Sequence, residues 1–452
     1  MQPSEISEAS LGPNGMQPST PARSGFHPTR AWRMVAILAA MLLLSFVDRY
    51  ALTVLVGPIK QDLQLTDTQI GLLLGTAFGV FYSTAGLPIG YLIDRYNRRN
   101  LLTAGVVIWS LMTVLSGFAQ DFTTLFIGRM GVGLGEAVLT PAAYSLIKDS
   151  FPDHLRGKAY GFYLFGSSVG TGAALVVTTG LAGWLGGADL SMMPWFSALA
   201  VWQQVLVVIG GAGLPIAALG MLIREPLRSD TGNSNAATLS AVVQHASGNS
   251  RIYVPLFLLY AVWGLCIYSY GAWIPTAISR AWHVPISEIG SQYGYMTMCL
   301  APLAALMFSR IFDRLAKAGL SNRVALLSGL ACLAVAIPTG IGPLAISPAL
   351  TWICLGINIF FAMGVQLALA LIIANVTPGR MIGKLSACGF LFLNVVGLGV
   401  GPISIPFVAK QINAGEGAIG LALGPVASAG WLVAGGLFLL VWRGTHRRAA
   451  MR

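Results

Sequence analysis

The sequence predicts an all-α membrane protein with twelve transmembrane helices in two six-helix bundles. Three observations lead there. Of 452 residues, 55% are hydrophobic and only 10% charged, a balance suited to lipid rather than water. Apolar runs of about 20 residues, enough to cross a bilayer as a helix, recur twelve times. Their approximate limits are 33–57, 69–93, 101–119, 122–147, 158–184, 197–223, 252–279, 288–312, 323–340, 348–374, 384–408 and 420–442. The third observation is where the basic residues lie. A net charge of +11 would suggest nucleic acid, yet 22 of the 27 Lys and Arg fall in the termini and in loops on one side of the membrane. That is the positive-inside bias. It places both chain ends in the cytoplasm, makes the charge topological and removes nucleic acid as a partner. Lys60, Arg280 and Lys410 fall on the other side, and Arg49 and Arg129 fall inside spans.

Residues 1–32 are rich in Pro, Ser and Gly and lack an apolar core, so they read as a disordered cytoplasmic tail rather than a signal peptide. The first bundle is expected over 33–223, a polar central loop over 224–251, the second bundle over 252–442 and a basic cytoplasmic tail over 443–452. The first span carries Asp48-Arg49-Tyr50. Adjacent helical residues point about 100° apart, so Asp48 and Arg49 need different partners.

The fourth span carries Arg129 and Glu136 among glycines 128, 131, 133 and 135. Seven residues is nearly two turns, so both side chains project from almost one face, roughly 10 Å apart. A charge at bilayer depth costs at least ~2.5 kcal/mol on insertion scales and normally faces a cavity or a partner. Two readings follow: an ion pair that only fixes helix packing, or a substrate and proton site. No histidine lies in a span, so Asp48 and Glu136 are the carboxylates at bilayer depth able to carry protons.

The second span ends in Gly90-Tyr91-Leu92-Ile93-Asp94-Arg95 followed by Arg98-Arg99. Asp94 suits a neighbouring helix N-terminus, where an anion is favoured, and Arg98 can reach Asp149 at the end of the fourth span. Positive-inside anchoring would explain these arginines but not the Asp or the Gly. The second half echoes the first: Ser309 to Asp313-Arg314 stands 219 residues after Gly90 to Asp94-Arg95, and Gly383-Lys384 stands 226 after Gly157-Lys158. A repeat of six spans on six is the mark of a two-bundle transporter. The first half holds all four buried charges, and the second offers none of that kind within its spans. The second half has instead Trp263 and Tyr270 on the seventh, Asn358 and Gln366 on the tenth and Asn394 on the eleventh, as helix-packing residues or as an amphipathic cavity wall.

The loop after the second span resembles the signature of the major facilitator superfamily, in which it latches the inner gate. The resemblance implies gating roles for Gly90, Asp94, Arg95, Arg98, Asp149, Asp313 and Arg314. Within that superfamily, residues 45–175 resemble the spinster family in its bacterial form. The likeness rests on Asp48-Arg49-Tyr50, the Gly90 to Arg99 loop, Arg129 through Gly135-Glu136-Ala137 with Pro141, Lys148-Asp149 to Pro152, Tyr163 and Gly170-Thr171-Gly172. Ile93 departs from the small residue usual at its place. Spinster relatives are associated with lysophospholipids and sphingosine phosphates. The resemblance therefore implies Arg49 or Arg129 as the phosphate partner, Asp48 and Glu136 as proton-coupling carboxylates, and Tyr163 among the substrate-binding side chains.

Organic anion–proton symporters of the same superfamily place an Asp-Arg pair and an Arg and Glu in the same way, and take up sugar acids and aromatic acids. The expectation is a monomeric secondary active transporter of a bacterial inner membrane, working by alternating access. It is proton-coupled and moves an anionic or amphipathic small molecule, lysophospholipid-like or an organic acid. No cofactor, metal or enzymatic motif is expected: the five cysteines all lie in spans without metal-type spacing, and the five histidines lie in tails or loops.

Overall fold

The computed structural model describes residues 27–228, 238–320, 322–412 and 415–450, and among them every regular element is helical. Among the described residues eleven helices are long and apolar enough to cross a membrane, and a twelfth is reached by joining one bent pair. In chain order they are α1 (Pro28–Asp62), α2 (Asp67–Arg95), α3 (Arg98–Ser116), α4 (Phe122–Ser150), α5 (Asp153–Gly187) and α6 (Val201–Gly220) in the first bundle. The second bundle holds α7 (Ser250–Trp282), α8 (Ile286–Lys317), α9 (Arg323–Ile341), α10 (Pro348–Val376), α11 (Ile382–Ile412) and α12 (Ala418–Ala450).

Each predicted span falls on one of these helices; the ends and the interruptions differ. Of the expected 1–32 tail, residues 1–26 lie outside the described residues. Helix α1 starts earlier than expected because Pro28 sits in its first turn, where a fixed φ helps and a missing N–H costs nothing. Residues 229–237 of the central loop also lie outside the described residues. Beyond them Thr238 caps a short helix, Leu239–Gly248, by accepting from the Ala241 N–H at 3.3 Å. At the other end α12 runs on to Ala450, across the stretch expected as a tail.

Proline sets the interruptions. Pro141 cannot donate to the carbonyl of Ala137, four residues back, and its ring crowds that carbonyl. Helix α4 accordingly breaks at Ala137–Val138, directly after Glu136. Helix α2 bends by 45° between Gly86 and Pro88. In α11 a π-helical segment, Leu393–Leu398, ends at the residue whose carbonyl Pro402 cannot bond.

The packing is asymmetric along the membrane normal. One apolar cluster draws residues from both bundles, from Val47 to Ile209 on one side and from Tyr270 to Ala427 on the other. It fills the half of the molecule remote from the chain ends, the distal half. Toward the face that carries the termini the core divides: one cluster belongs almost wholly to the first bundle and another to the second. The bundles therefore meet distally and part toward the terminal face.

Two helix crossings close the distal half. Where α5 meets α8, a Cβ on Gly172 would stand 2.4 Å from the Gly294 carbonyl oxygen, so only glycine permits the approach. Where α2 meets α11, a Cβ on Gly75 would stand 2.5 Å from the Leu398 carbonyl oxygen, and the neighbouring Thr76 hydroxyl donates to Gly399 O at 2.6 Å. A charge cluster completes the seal. Arg280 at the end of α7 donates to both Asp67 oxygens, Nη1 to Oδ2 at 2.9 Å and Nη2 to Oδ1 at 2.7 Å, while Lys60 from α1 reaches Oδ1 at 2.7 Å. Asp67 opens α2, so the helix dipole favours its charge as well. Among the described residues this is the one ion pair joining the bundles. It also accounts for two of the three cations that fell on the side opposite the positive bias.

Breaking this bridge should favour a distally open form. The pair is partly exposed, so screening holds its worth near ~1 kcal/mol, roughly a fivefold population shift. Arg280→Asp should lengthen the spin-label distance between Gln61→Cys and Ala281→Cys in a background without native cysteines, and Arg280→Asp with Asp67→Arg should restore it. An unchanged distance in the single variant would contradict this role.

Candidate functional site

The four intramembrane charges meet inside the first bundle as two ion pairs. Asp48 and Arg49 diverge, as adjacent helical residues must. Asp48 is 1% exposed and pairs with Arg129, also 1% exposed, whose Nη1 donates to Oδ1 at 3.2 Å. Thr113 of α3 donates its hydroxyl to Asp48 Oδ2. This pair is sealed in the bundle and ties α1 to α3 and α4.

Arg49 turns the other way. Its Nη2 donates to Glu136 Oε2 at 2.7 Å, and Ser45, one turn earlier on α1, donates to the same oxygen at 2.7 Å. Arg49, Ser45 and Glu136 line a cavity of about 140 Å3 together with Tyr82, Thr140, Tyr163 and Ser167. Its apolar wall is Leu42, Phe46, Leu139 and Leu164. Phe78 of α2, fully buried, lies between the two arginines: the Arg49 guanidinium carbon is 4.4 Å and that of Arg129 5.5 Å from its ring centroid. The ring's negative face attracts both cations. Both pairs thus touch one aromatic ring, but only the Arg49 pair meets the cavity. Arg129 has two nitrogens, Nε and Nη2, without a hydrogen-bond partner, so Asp48 and Phe78 are its principal compensation.

The second bundle places its candidates differently from one another. Trp263 is buried, donates to Gln366 Oε1 at 3.1 Å and packs edge-on against Trp431. Asn358 donates to Thr339 Oγ1 at 2.9 Å and Tyr270 to Thr339 O at 3.4 Å, both inside the bundle. Trp263, Asn358 and Tyr270 are thus satisfied by partners within the second bundle, and none of them lines the cavity. Tyr268, not singled out in the sequence, packs against the apolar clusters of both bundles and donates to Asn394 Oδ1 at 3.2 Å. Its signal was faint: two residues before Tyr270, it lies on the opposite side of α7.

At the terminal face Arg98 is 1% exposed and ion-paired to Asp149, as its position suggested. The structure adds Glu225, which accepts from Arg98 Nε at 2.6 Å and from the Arg99 N–H at 3.0 Å, capping α3. Sequence reading left it at the start of the central loop expected over 224–251, although an acid between Arg224 and Pro226 was a visible cue. Gly90 is half-buried, while Asp94, Arg95, Asp313 and Arg314 are exposed. Arg95 lies over the Tyr91 ring at 4.2 Å, and Asp94 has no ion-pair partner among the described residues. With the bundles apart at this face, an inter-bundle latch has nothing to close on.

The profile of the Major Facilitator Superfamily matches residues 38–402. The chain belongs to the major facilitator superfamily. Membership places it among multi-pass membrane proteins of a family of transporters. Among solved structures it is similar to a bacterial homologue of the human lysosomal transporter Spinster in an inward-facing and occupied conformation. Identity there is 25% and the TM-score 0.77, with 93% of this chain and 98% of that one covered. Among curated relatives, an MFS-type efflux pump of Mycolicibacterium smegmatis is 29% identical over 297 residues, 64% of each protein. A probable L-galactonate transporter of Escherichia coli is 27% identical over 319 residues, 65% of this chain and 66% of the relative. The matches thus span under two thirds of the length of either curated relative.

The sealed pair makes a prediction about stability in this superfamily member. Removing one partner of a buried pair leaves an uncompensated charge and costs about 3–5 kcal/mol, whereas apolar replacement of both is near neutral. Arg129→Met should lower the thermal unfolding temperature of the purified protein far more than Arg129→Met with Asp48→Leu. Equal losses in the two would contradict the pairing.

Proposed function

We propose that the protein is a proton-coupled secondary transporter in which an anionic substrate and Glu136 compete for Arg49. The observation that carries this reading is the Arg49–Glu136 pair on the cavity wall, with the other pair sealed behind Phe78. Arginine stays charged at any accessible pH, so it suits holding an anion and not carrying a proton. Glu136 is its partner when no substrate is bound. A carboxylate or phosphate arriving from the cavity takes the guanidinium, and Glu136, left charged in an apolar setting, binds a proton instead. Substrate and proton then favour each other's binding, which is the thermodynamic requirement of symport. Asp48 shares the coupling through Arg129.

The positive-inside bias supports a cytoplasmic terminal face, which makes the present arrangement inward-facing, with the Asp67–Arg280 bridge closing the outer side. In the outward-facing state Asp94 and Arg98 latch the inner ends. A bacterial inner membrane is the setting proposed.

The cavity favours a small organic acid. Trp263, Tyr270 and Asn358 are committed inside the second bundle, so the amphipathic wall that would greet an acyl chain is reduced to Tyr268, Gln366 and Asn394. The transporter of a sugar acid among the relatives is in keeping with this. A single-chain lysophospholipid is the second reading, favoured by the likeness to a spinster homologue and by Leu164, 41% exposed at the cavity edge.

Counterflow in proteoliposomes loaded with sugar acids, aromatic acids or lysophospholipids tests both. Glu136→Gln should retain counterflow of the accepted anion and lose proton-driven accumulation. Arg49→Ala should lose both, with affinity lowered at least about tenfold, the equivalent of ~1.4 kcal/mol. Accumulation at the wild-type level in Glu136→Gln would sink the coupling, and counterflow of lysolipids alone would reverse the choice of substrate.

A further inference from the structure

The two oxygens of Glu136 have different surroundings. Oε2 is held by Ser45 and Arg49. Oε1 is buried and has no hydrogen-bond partner among the described residues, and the same is true of Arg49 Nε, while the Tyr163 hydroxyl has Thr140 as its one close side-chain neighbour for hydrogen bonding. All three residues line the same cavity of about 140 Å3, whose remaining polar groups are Ser45, Tyr82, Thr140 and Ser167. Buried polar groups in a native protein find partners, and a niche of this size that carries several of them has room for water: at about 30 Å3 per molecule it takes roughly four or five.

We propose that this niche holds a short water chain that delivers protons to Glu136 Oε1, with the Tyr163 hydroxyl as the positioning group at its inner end. The inference rests on the reading of Glu136 as the proton carrier. An excess proton enters from the aqueous cleft, and each water accepts one proton and passes another on. The last water gives its proton to Oε1, which becomes a carboxylic O–H, and that water is again neutral. The Tyr163 hydroxyl accepts from one water and donates to the next, remaining neutral itself. Because Oε2 stays hydrogen-bonded to Ser45, the carboxyl keeps its orientation while Oε1 receives the proton.

The groups that bear on Glu136 are few. Asp48 and Arg49 face it from α1 and Arg129 from its own helix, Tyr82 lines the niche from α2 and Tyr163 from α5, and Tyr268 of α7 lies beyond Arg49. Asp48 is turned to Arg129 and Thr113, and Tyr82 is half-buried where Tyr163 is fully enclosed. With Ser45 committed to Oε2, Tyr163 is the fully buried hydroxyl left on the wall of the niche that Glu136 lines.

Time-resolved infrared spectroscopy of the purified protein after a pH jump tests this without a substrate. The carbonyl band of protonated Glu136 is assigned by its loss in Glu136→Gln. Tyr163→Phe should slow the appearance of that band at least about tenfold while leaving its final amplitude unchanged. Thr140→Val, of equal size, should slow it too and serves if Tyr163→Phe does not fold. Unchanged rates in folded variants, or a changed amplitude at unchanged rate, overturn the water route. A band that survives in Glu136→Gln overturns instead the reading of Glu136 on which the route rests.

Discussion

A guanidinium cannot shed its charge, so an arginine at bilayer depth must have a counter-ion or water throughout the working cycle. The first bundle contains two such arginines and two carboxylates, and much of its construction serves to pair them. Asp48 and Arg49 are neighbours in sequence and therefore diverge, one toward Arg129 and one toward Glu136. The first pair locks α1 against α4 with Thr113 of α3 in support. With α1 fixed in rotation, Arg49 is obliged to face the cavity. The break after Glu136 that Pro141 imposes falls at the same level, so the second carboxylate ends a helical segment rather than sitting in the middle of one. Phe78 separates the pairs and contacts both cations. A rigid pair and an addressable pair result from one pattern of four charges.

The same division between fixed and movable runs through the whole molecule. The bundles share one core in the distal half and have separate cores toward the terminal face. Interiors are close-packed and do not deform continuously, so each bundle moves as a body, and what changes is the seam between them. Besides that shared apolar core, the seam holds close backbone approaches at Gly172 and Gly75 and, among the described residues, one ionic bridge at Asp67. At the other face the charges that would form a bridge, Asp94 and Arg95 with Asp313 and Arg314, stand exposed.

The parts of this arrangement legible in the sequence are those that the bilayer dictates. Lipid demands about 20 apolar residues per span, so the spans could be read off, and a charge inside one is conspicuous for the same reason. The pairing of Arg98 with Asp149 was legible because both sit at helix ends on one face. Facing was harder to read. A helix in a membrane is apolar nearly all round, so periodicity does not say which side meets a cavity. That is why Trp263 and Tyr270 drew attention when Tyr268 is the aromatic turned to the first bundle. The prolines at 141 and 402 carried the signal for the breaks in α4 and α11, but span-finding by composition ignores it. Lys60 and Arg280 stood out as exceptions to the charge bias; their meeting at Asp67 depends on a contact between bundles, which single-sequence reasoning does not reach.

The account turns on a competition for Arg49, and the most direct measurement of it is the proton balance of binding. Calorimetric titration of an accepted anion into the purified protein, repeated in buffers of different ionisation enthalpy, reads that balance without any membrane gradient. If the anion displaces Glu136 from Arg49, binding takes up about one proton where Glu136 starts ionised, and Glu136→Gln binds the same anion with none. Anion binding that is proton-neutral in the wild type across the working pH range would contradict the exchange of partners at Arg49.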